Sequence, residues 1–436
     1  MAARRVHAVA AAFEVEFEQT RHQLRMTVDE AFIEPSETVR VQQPLLDLLT
    51  DKIAERLRSA TPSRTGKSLE SVFDQFLADP RHDWCSRTGQ SYRTTRRWVL
   101  DVFGADTPID AITRESCREF VELLRRLPKH SDKRFAGIAV REIVATTEGR
   151  VDVERINAAN VNAYLVRLGG MFNWAVAEGY VASNPSKGLR VRDPVKRRDK
   201  RIPFSALQLN TIFWAPLYTG CVDDRNGYAR TGDQTPRRAR FWVPLIALYS
   251  GMRLNEIAQL DAADVVCIDG VTCFQVEAGG IAGDETKRIK TDASERLVPI
   301  HDELIRFGFL AYAAERNRAG DEKLFPEVPL SPLGYRSVSL SRWFARFLEK
   351  SGAAAPRTCF HSFRHNFRDA LRDAQVPREI ALLLGGWTEN GPIADIYGRG
   401  FRPVALANEL NKVRYSGLNL LHLATHPESP DALIAM

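Results

Sequence analysis

Between Arg190 and Arg201 the chain reads RVRDPVKRRDKR, with seven basic and two acidic residues in twelve positions, a net of +5. A run this charged cannot enter an apolar interior, because a buried charge without a partner costs more than packing returns. The chain therefore has to fold on either side of it. Its 436 residues suit that division, since a domain averages roughly 100–200 residues. The run reads as a solvated linker or as a strap on nucleic acid, because clustered Lys and Arg displace counterions from phosphates. Composition leaves those two readings level.

Residues 66–189 read as all-helical. Leu69, Val72, Phe73, Phe76 and Leu77 form one apolar stripe, and SYRTTRRWVLDVFG sets Arg93, Arg96 and Arg97 beside Trp98, Val99 and Val102. RESCREFVELLRRL predicts a helix ended by Pro128, and residues 129–156 read as a polar connection. NAANVNAYLVRLGGMFNWAVAEGY predicts a long helix stopping near Gly179, with a turn at Asn184-Pro185. Residues 1–65 carry helical patches such as PLLDLLTDKIAERL and form an extension of unassigned role.

Beyond residue 202 the texture changes. ARFWVPLIALYSG predicts an apolar helix ended by Gly251, followed by a short helix at LNEIAQL. DVVCIDGVTCFQVEA and ERLVPI carry β-branched residues broken by Gly and Asp, the pattern of a small antiparallel sheet. Helices are expected at 301–317, 337–351, 361–374 and 377–384. AGGIAGDE (278–285) is glycine-rich but lacks the strand-then-helix context of a phosphate cradle, so it reads as a hairpin loop.

Several function classes drop out. No run approaches the ~18 apolar residues of a membrane span. The N-terminal MAARRVHAVAAAFEVEFEQ imitates a signal peptide, but Glu14 and Glu16 cut its apolar stretch short. A cytoplasmic, nucleoid-associated location is expected. The six cysteines form no C-x-x-C, and buried thiols are the expectation for them.

FHSFRH carries the sharper question. His361 and His365 are four apart, a spacing that can hold zinc, and His361 and Arg364 are three apart, a spacing that can hold a phosphate. A zinc protease needs a glutamate between its histidines as general base. Here Ser362, Phe363 and Arg364 intervene, and an arginine beside a dication is repulsive. The zinc reading is set aside.

Cutting a phosphodiester without metal calls for fixed cations to meet the charge on the non-bridging oxygens. Arginines suit this, being planar, bidentate and always charged. A nucleophile and a proton donor for the departing oxygen complete the set. Arg253 lies in SGMRLNEIAQL at the start of a short helix, and Lys290 in IKTDASERLVPI between strands. His361 and Arg364 follow, then Trp387 in LLLGGW and Tyr397 in IADIYGRG. Glu256 reads as a buried partner orienting Arg253, and His365 as a packing residue. Lys287 competes with Lys290 as the acid, and Tyr415 with Tyr397 as the nucleophile.

These blocks, in this order, resemble the catalytic domain of tyrosine recombinases, the phage-integrase-type site-specific recombinases, over roughly residues 66–415. Two departures are visible. Many members have histidine where this chain has Trp387, and Tyr397 follows Trp387 by ten residues, one more than expected. Tryptophan donates one N–H but cannot shuttle a proton, which leaves acid–base duty to His361 and Lys290.

The resemblance implies a mainly α fold with a small antiparallel β-sheet, in which a helical core-binding domain (66–189) and a basic linker (190–201) precede an α+β catalytic domain (202–436). It implies attack by Tyr397 on DNA to give a 3′-phosphotyrosyl enzyme, with no metal, cofactor or ATP. Arg253 and Arg364 would hold the phosphate, Trp387 would support it, His361 would act as base and Lys290 as acid. Double-stranded DNA is the implied partner, met by Arg93, Arg96, Arg97, Lys196, Arg197, Arg198, Lys200 and Arg201. A tetramer on two DNA sites is also implied, with the C-terminal segment packed on a neighbouring protomer, and an accessory DNA-bending or directionality factor. The rival readings are type IB topoisomerase-like strand relaxation and a non-catalytic DNA-binding protein on the same fold.

Overall fold

A computed structural model describes residues 66–196, 199–279, 287, 294–387 and 401–425. The expectations for residues 1–65, Arg197, Arg198, Lys290 and Tyr397 lie outside the described residues.

Ahead of the linker, helices α1 (Leu69–Ala78), α2 (Ser86–Phe103), α3 (Arg114–Arg126), α4 (Val140–Thr147) and α5 (Ala158–Ala177) form a bundle. The side chains of Ser68, Thr113 and Asn157 accept first-turn N–H groups and so set the starts of α1, α3 and α5. The stripe Leu69, Val72, Phe73 and Phe76 packs with Trp98, Val99, Phe120, Leu124, Leu168 and Phe172 in one core.

The connection 129–156 is not merely polar. It contains a helical turn at Ser131–Arg134 and the whole of α4, whose Val140, Ile143 and Val144 are buried. Eight residues with three apolar ones give too weak a period to stand out among Arg, Glu and Thr.

The basic run is tied at both ends. Asn162 and Val191 exchange two hydrogen bonds of 2.8 and 2.9 Å, and the Arg357 guanidinium donates to the Asp199 carbonyl at 3.2 Å. Past the run, Asn366 exchanges bonds of 2.9 and 2.7 Å with the backbone of Phe204.

A second core follows. Helices α6 (Ala206–Phe213), α7 (Ala239–Ser250) and α8 (Leu254–Ala258) lead into β1 (Val265–Ile268), β2 (Val271–Val276) and β3 (Arg296–Pro299). The strands form an antiparallel sheet in sequence order, with Val265 opposite Phe274 and Phe274 opposite Val298. Then come α9 (Asp302–Arg306), α10 (Phe309–Arg318), α11 (Ser337–Ser351), α12 (Ser362–Asp373), α13 (Arg378–Gly385) and α14 (Pro403–Leu410). The single helix expected over 301–317 is broken because Gly308 adopts φ +89°, a left-handed turn that separates α9 from α10. Nearly all of α7 is buried, and it packs along α12, so the elements that flank Arg253 and Arg364 are neighbours.

Residues 401–425 fold back on their own chain. Leu406, Leu410, Val413, Leu420 and Leu423 are buried there, and the Arg237 guanidinium donates to the Leu423 carbonyl at 3.0 Å. Part of the segment's apolar surface is thus covered by its own chain, while Phe401, Val404 and Leu421 stay exposed. The cysteines also depart from expectation: Cys117, Cys221 and Cys273 are buried, while Cys85 and Cys267 are exposed. Among the described residues no helix is long and apolar enough to cross a membrane.

Candidate active site

Two glycines shape the centre of the site. Gly251 ends α7 at φ +62°, and a Cβ there would lie 2.2 Å from the Phe367 ring. This close approach brings the Gly251 carbonyl to α12, where Arg364 donates to it at 2.6 Å. At the far end of α13, Gly386 turns at φ +56°, and Trp387 folds back so that a Cβ on Gly385 would lie 2.0 Å from its ring. The pair Gly385-Gly386 therefore aims both Trp387 and the Gly386 carbonyl inward.

Both candidate arginines reach that carbonyl, Arg253 at 3.3 Å and Arg364 at 3.4 Å. Arg364 also lies over the Trp387 ring at 4.6 Å, and Arg368 lies over the same ring at 5.0 Å. Trp387 packs against the core of Phe367, Leu371 and Leu384, so its role here is a wall rather than a proton carrier.

Arg253 precedes α8. Its Nη1 donates to Glu256 Oε1 at 2.5 Å and to the Ser294 hydroxyl at 3.0 Å, while its backbone N–H donates to Glu256 Oε2 at 2.9 Å. Glu256 is 3% exposed and bridges onward to Arg296, whose Nη2 donates to it at 3.0 Å. Burial pushes the Glu256 carboxyl up, but Arg296 and Arg253 outweigh it, and the net shift is downward. Glu256 is therefore an ionised counter-charge. Arg296 completes the layer beneath, with bonds to the carbonyls of Leu384 and Ser294 at 3.0 and 2.7 Å. Sequence reading had not singled out Arg296. Its signal was an arginine in a strand bordered by apolar residues, where a charge needs a buried partner.

Arg364 has no carboxylate partner among its described hydrogen bonds. Burial, and then Arg253, push its guanidinium down to about 9. It remains charged at neutral pH, so the site holds a desolvated cation whose surroundings favour an incoming anion. His361 sits just before α12 and lines a cleft of about 210 Å³ with Arg201, Met252, Leu254, Ser341, Cys359, Phe360 and Arg364. Burial first, then the cations Arg201 and Arg364, push its imidazole down to about 4. It is neutral at pH 7 and able to accept a proton. His365 meets it edge-on at 5.3 Å.

The two competitors are both held by buried partners. Lys287 is held between Asp261 and Asp264 at 2.6 and 2.7 Å with its side chain 3% exposed. The Tyr415 hydroxyl is buried and donates to the Leu248 carbonyl, and burial raises it well above its ordinary value.

The candidate DNA contacts divide. Arg93, Arg97, Lys196 and Arg201 are exposed. Arg96 is engaged by Glu70 and Asp74 at 2.8 and 2.7 Å, and Lys200 by Asp193 at 2.7 Å.

This fold resembles that of integrase catalytic domains, and the arginine-lined site lies within it. Residues 230–399 match the model of the phage integrase family. A curated relative from Escherichia coli (strain K12), named "Putative defective protein IntQ", is 24% identical over 206 residues, which is 47% of this chain and 42% of that protein. The chain thus spans less than half of that relative's length. Among solved structures, the Tn1549 transposon integrase in complex with circular intermediate DNA is similar at TM-score 0.51 and 14% identity, covering 80% of this chain and 96% of that one. The lambda integrase tetramer bound to a Holliday junction is similar at TM-score 0.50 and 18% identity, covering 78% and 83%. These likenesses are of fold.

Proposed function

We propose that the chain is a site-specific DNA recombinase that cleaves and rejoins DNA through a 3′-phosphotyrosyl link on Tyr397, without metal or ATP. One observation carries the reading. Arg253 and Arg364 come from different segments yet converge on one carbonyl, and Arg364 is buried without a carboxylate among its described hydrogen bonds. A scissile phosphate supplies the missing anion.

In the proposed step the Tyr397 oxygen bonds to phosphorus and the bond to the 5′ oxygen breaks. Neutral His361 takes the phenol proton, and Lys290 protonates the departing 5′ oxygen. Arg253 and Arg364 hold the non-bridging oxygens, with Glu256 and Arg296 keeping Arg253 in place. Exposed Arg93, Arg97, Lys196 and Arg201 are proposed to neutralise DNA backbone on either side of the linker, so that the bundle and the catalytic half close around the duplex. Assembly as a tetramer on two DNA sites, with or without an accessory DNA-bending factor, is part of this reading.

The test is covalent trapping. The protein is incubated with DNA flanking its own gene, denatured in SDS, and the attached peptide mapped. An adduct on Tyr397, absent in Tyr397→Phe, is the expected result. Relaxation of supercoils without partner exchange would favour the topoisomerase reading. Sequence-specific binding with no adduct would favour the non-catalytic one.

A further inference from the structure

The basic run ends at Arg201, and the chain around this last residue is pinned on both sides. Arg357 donates its guanidinium to the Asp199 carbonyl at 3.2 Å, and its own carbonyl accepts the Ile202 N–H at 3.3 Å. Arg357 does so from φ +67°, a left-handed conformation uncommon in a residue other than glycine. Slightly further on, the backbone of Phe204 exchanges its two bonds with Asn366 of α12, the helix that carries Arg364. The end of the linker is therefore fastened to the element that builds the site.

The two neighbouring cations of this stretch then part company. Lys200 is taken by Asp193 at 2.7 Å. Arg201 is exposed and lines the cleft of about 210 Å³ with His361 and Arg364. Ser341 of α11 and Cys359, ahead of α12, complete the polar lining. After burial, the charge of Arg201 is the strongest influence holding the His361 imidazole low. Arg364 comes next, then His365 on the same helix and Arg253 ahead of α8. Arg201 pushes His365 in the same direction.

We propose that Arg201 is a third cation of the cleavage site and meets the reacting phosphate in the cleft that it lines with His361 and Arg364. This rests on the strand-cleavage reading above, and sets Arg201 apart from the general contacts to DNA backbone. Before DNA arrives, its charge disfavours a second positive charge on His361, so the imidazole stays able to accept a proton. Once the phosphate enters, the same guanidinium offers its oxygens a planar, permanently charged donor. Because Arg201 belongs to the linker, seating the linker on DNA and completing the cleft become one event.

The experiment uses the full chain and two readouts. The first is the titration of His361 in the DNA-free chain, followed by NMR and assigned by the signal that His361→Gln removes. The second is the rate of covalent adduct formation on DNA flanking its own gene, at saturating DNA. Arg201→Gln should raise His361 from about 4 towards its ordinary value near ~6.5. It should also slow adduct formation by about 10-fold, less than the ~10²–10³ of a water-excluded donor because Arg201 is exposed. Arg201→Lys keeps the charge, so His361 should stay near its parent value while part of the rate is lost with the bidentate fork.

An unmoved His361 in Arg201→Gln would overturn the proposal. So would a rate defect that disappears at saturating DNA, which would return Arg201 to the ordinary backbone contacts. Absence of any adduct with the unaltered chain would instead overturn the strand-cleavage reading, and the phosphate contact with it.

Discussion

In the helical bundle, Arg118, Arg125 and Arg141 pair with Glu115, Glu122 and Glu119, and more than half of every one of these side chains is exposed. Beyond the linker, Arg296 pairs with Glu256, and Lys287 and Lys323 with Asp261, at 8% exposure or less. Exposed pairs are worth ~0–1 kcal/mol, because water and salt screen them. Buried pairs carry a desolvation penalty that their attraction barely offsets, and they break badly when one partner is removed. The bundle therefore gains its stability from apolar stripes and uses charge for solubility. The half beyond the linker accepts the penalty because a buried counter-charge holds a cation at a definite place. The ion pairs with both partners deeply buried lie beyond the linker among the described residues.

The sharpest way to break this contrast is Glu256→Ala. It strands Arg296 in the interior and should cost about 3–5 kcal/mol in denaturant unfolding, with cleavage lost as well. A loss under about 1 kcal/mol would mean that Glu256 behaves like a surface residue.

Next in size, Arg253→Ala and Arg364→Ala should each lower strand cleavage by ~10²–10³-fold, about 2.7–4 kcal/mol, while DNA affinity in gel shifts stays within a few-fold. Parallel loss of binding and cleavage would assign these arginines to the framework instead.

A smaller effect tests a buried neutral group. His301 is 1% exposed, and its Nδ1 accepts from the Glu303 N–H at 3.1 Å. Burial pushes it down to about 4, against the opposing bond to the Val413 carbonyl. Its folded value lies below its unfolded value near ~6.5, so the unfolded chain binds the extra proton first. Stability is present in full above pH 6.5 and falls as pH drops from there towards 4. The loss attributable to His301 is about 2 kcal/mol between pH 6.5 and 5. Urea unfolding at the two pH values checks it, and His301→Gln should remove that component. His361 shares the direction, so cleavage should hold its rate down to about pH 5 instead of declining near 6.5.

The smallest change belongs to the bundle. Arg125→Ala should shift stability by less than about 1 kcal/mol, and a larger value would blur the contrast between the halves.

Much of the fold was legible because its signals are local. The stripe at Leu69–Leu77, the glycine stop at Gly251 and the β-branched runs on either side of Asp269-Gly270 each lie within one element or two adjoining ones. Helix α4 was missed because three apolar residues in eight give little period. The break at Gly308 was missed because a glycine in a helical pattern marks a turn only when tertiary packing demands a positive φ.

By itself the sequence determined the order of chemical groups, the elements that carry them and the division at the basic run, since these depend on residue type and short-range spacing. Only the tertiary structure decided which groups share a place. It brought Arg253 and Arg364 to one carbonyl and placed Arg296 beneath them. It also gave Lys287 and Tyr415 buried partners and packed much of 401–425 against the chain's own core. Each of these depends on burial and on partners tens to hundreds of residues away, and no local pattern encodes them.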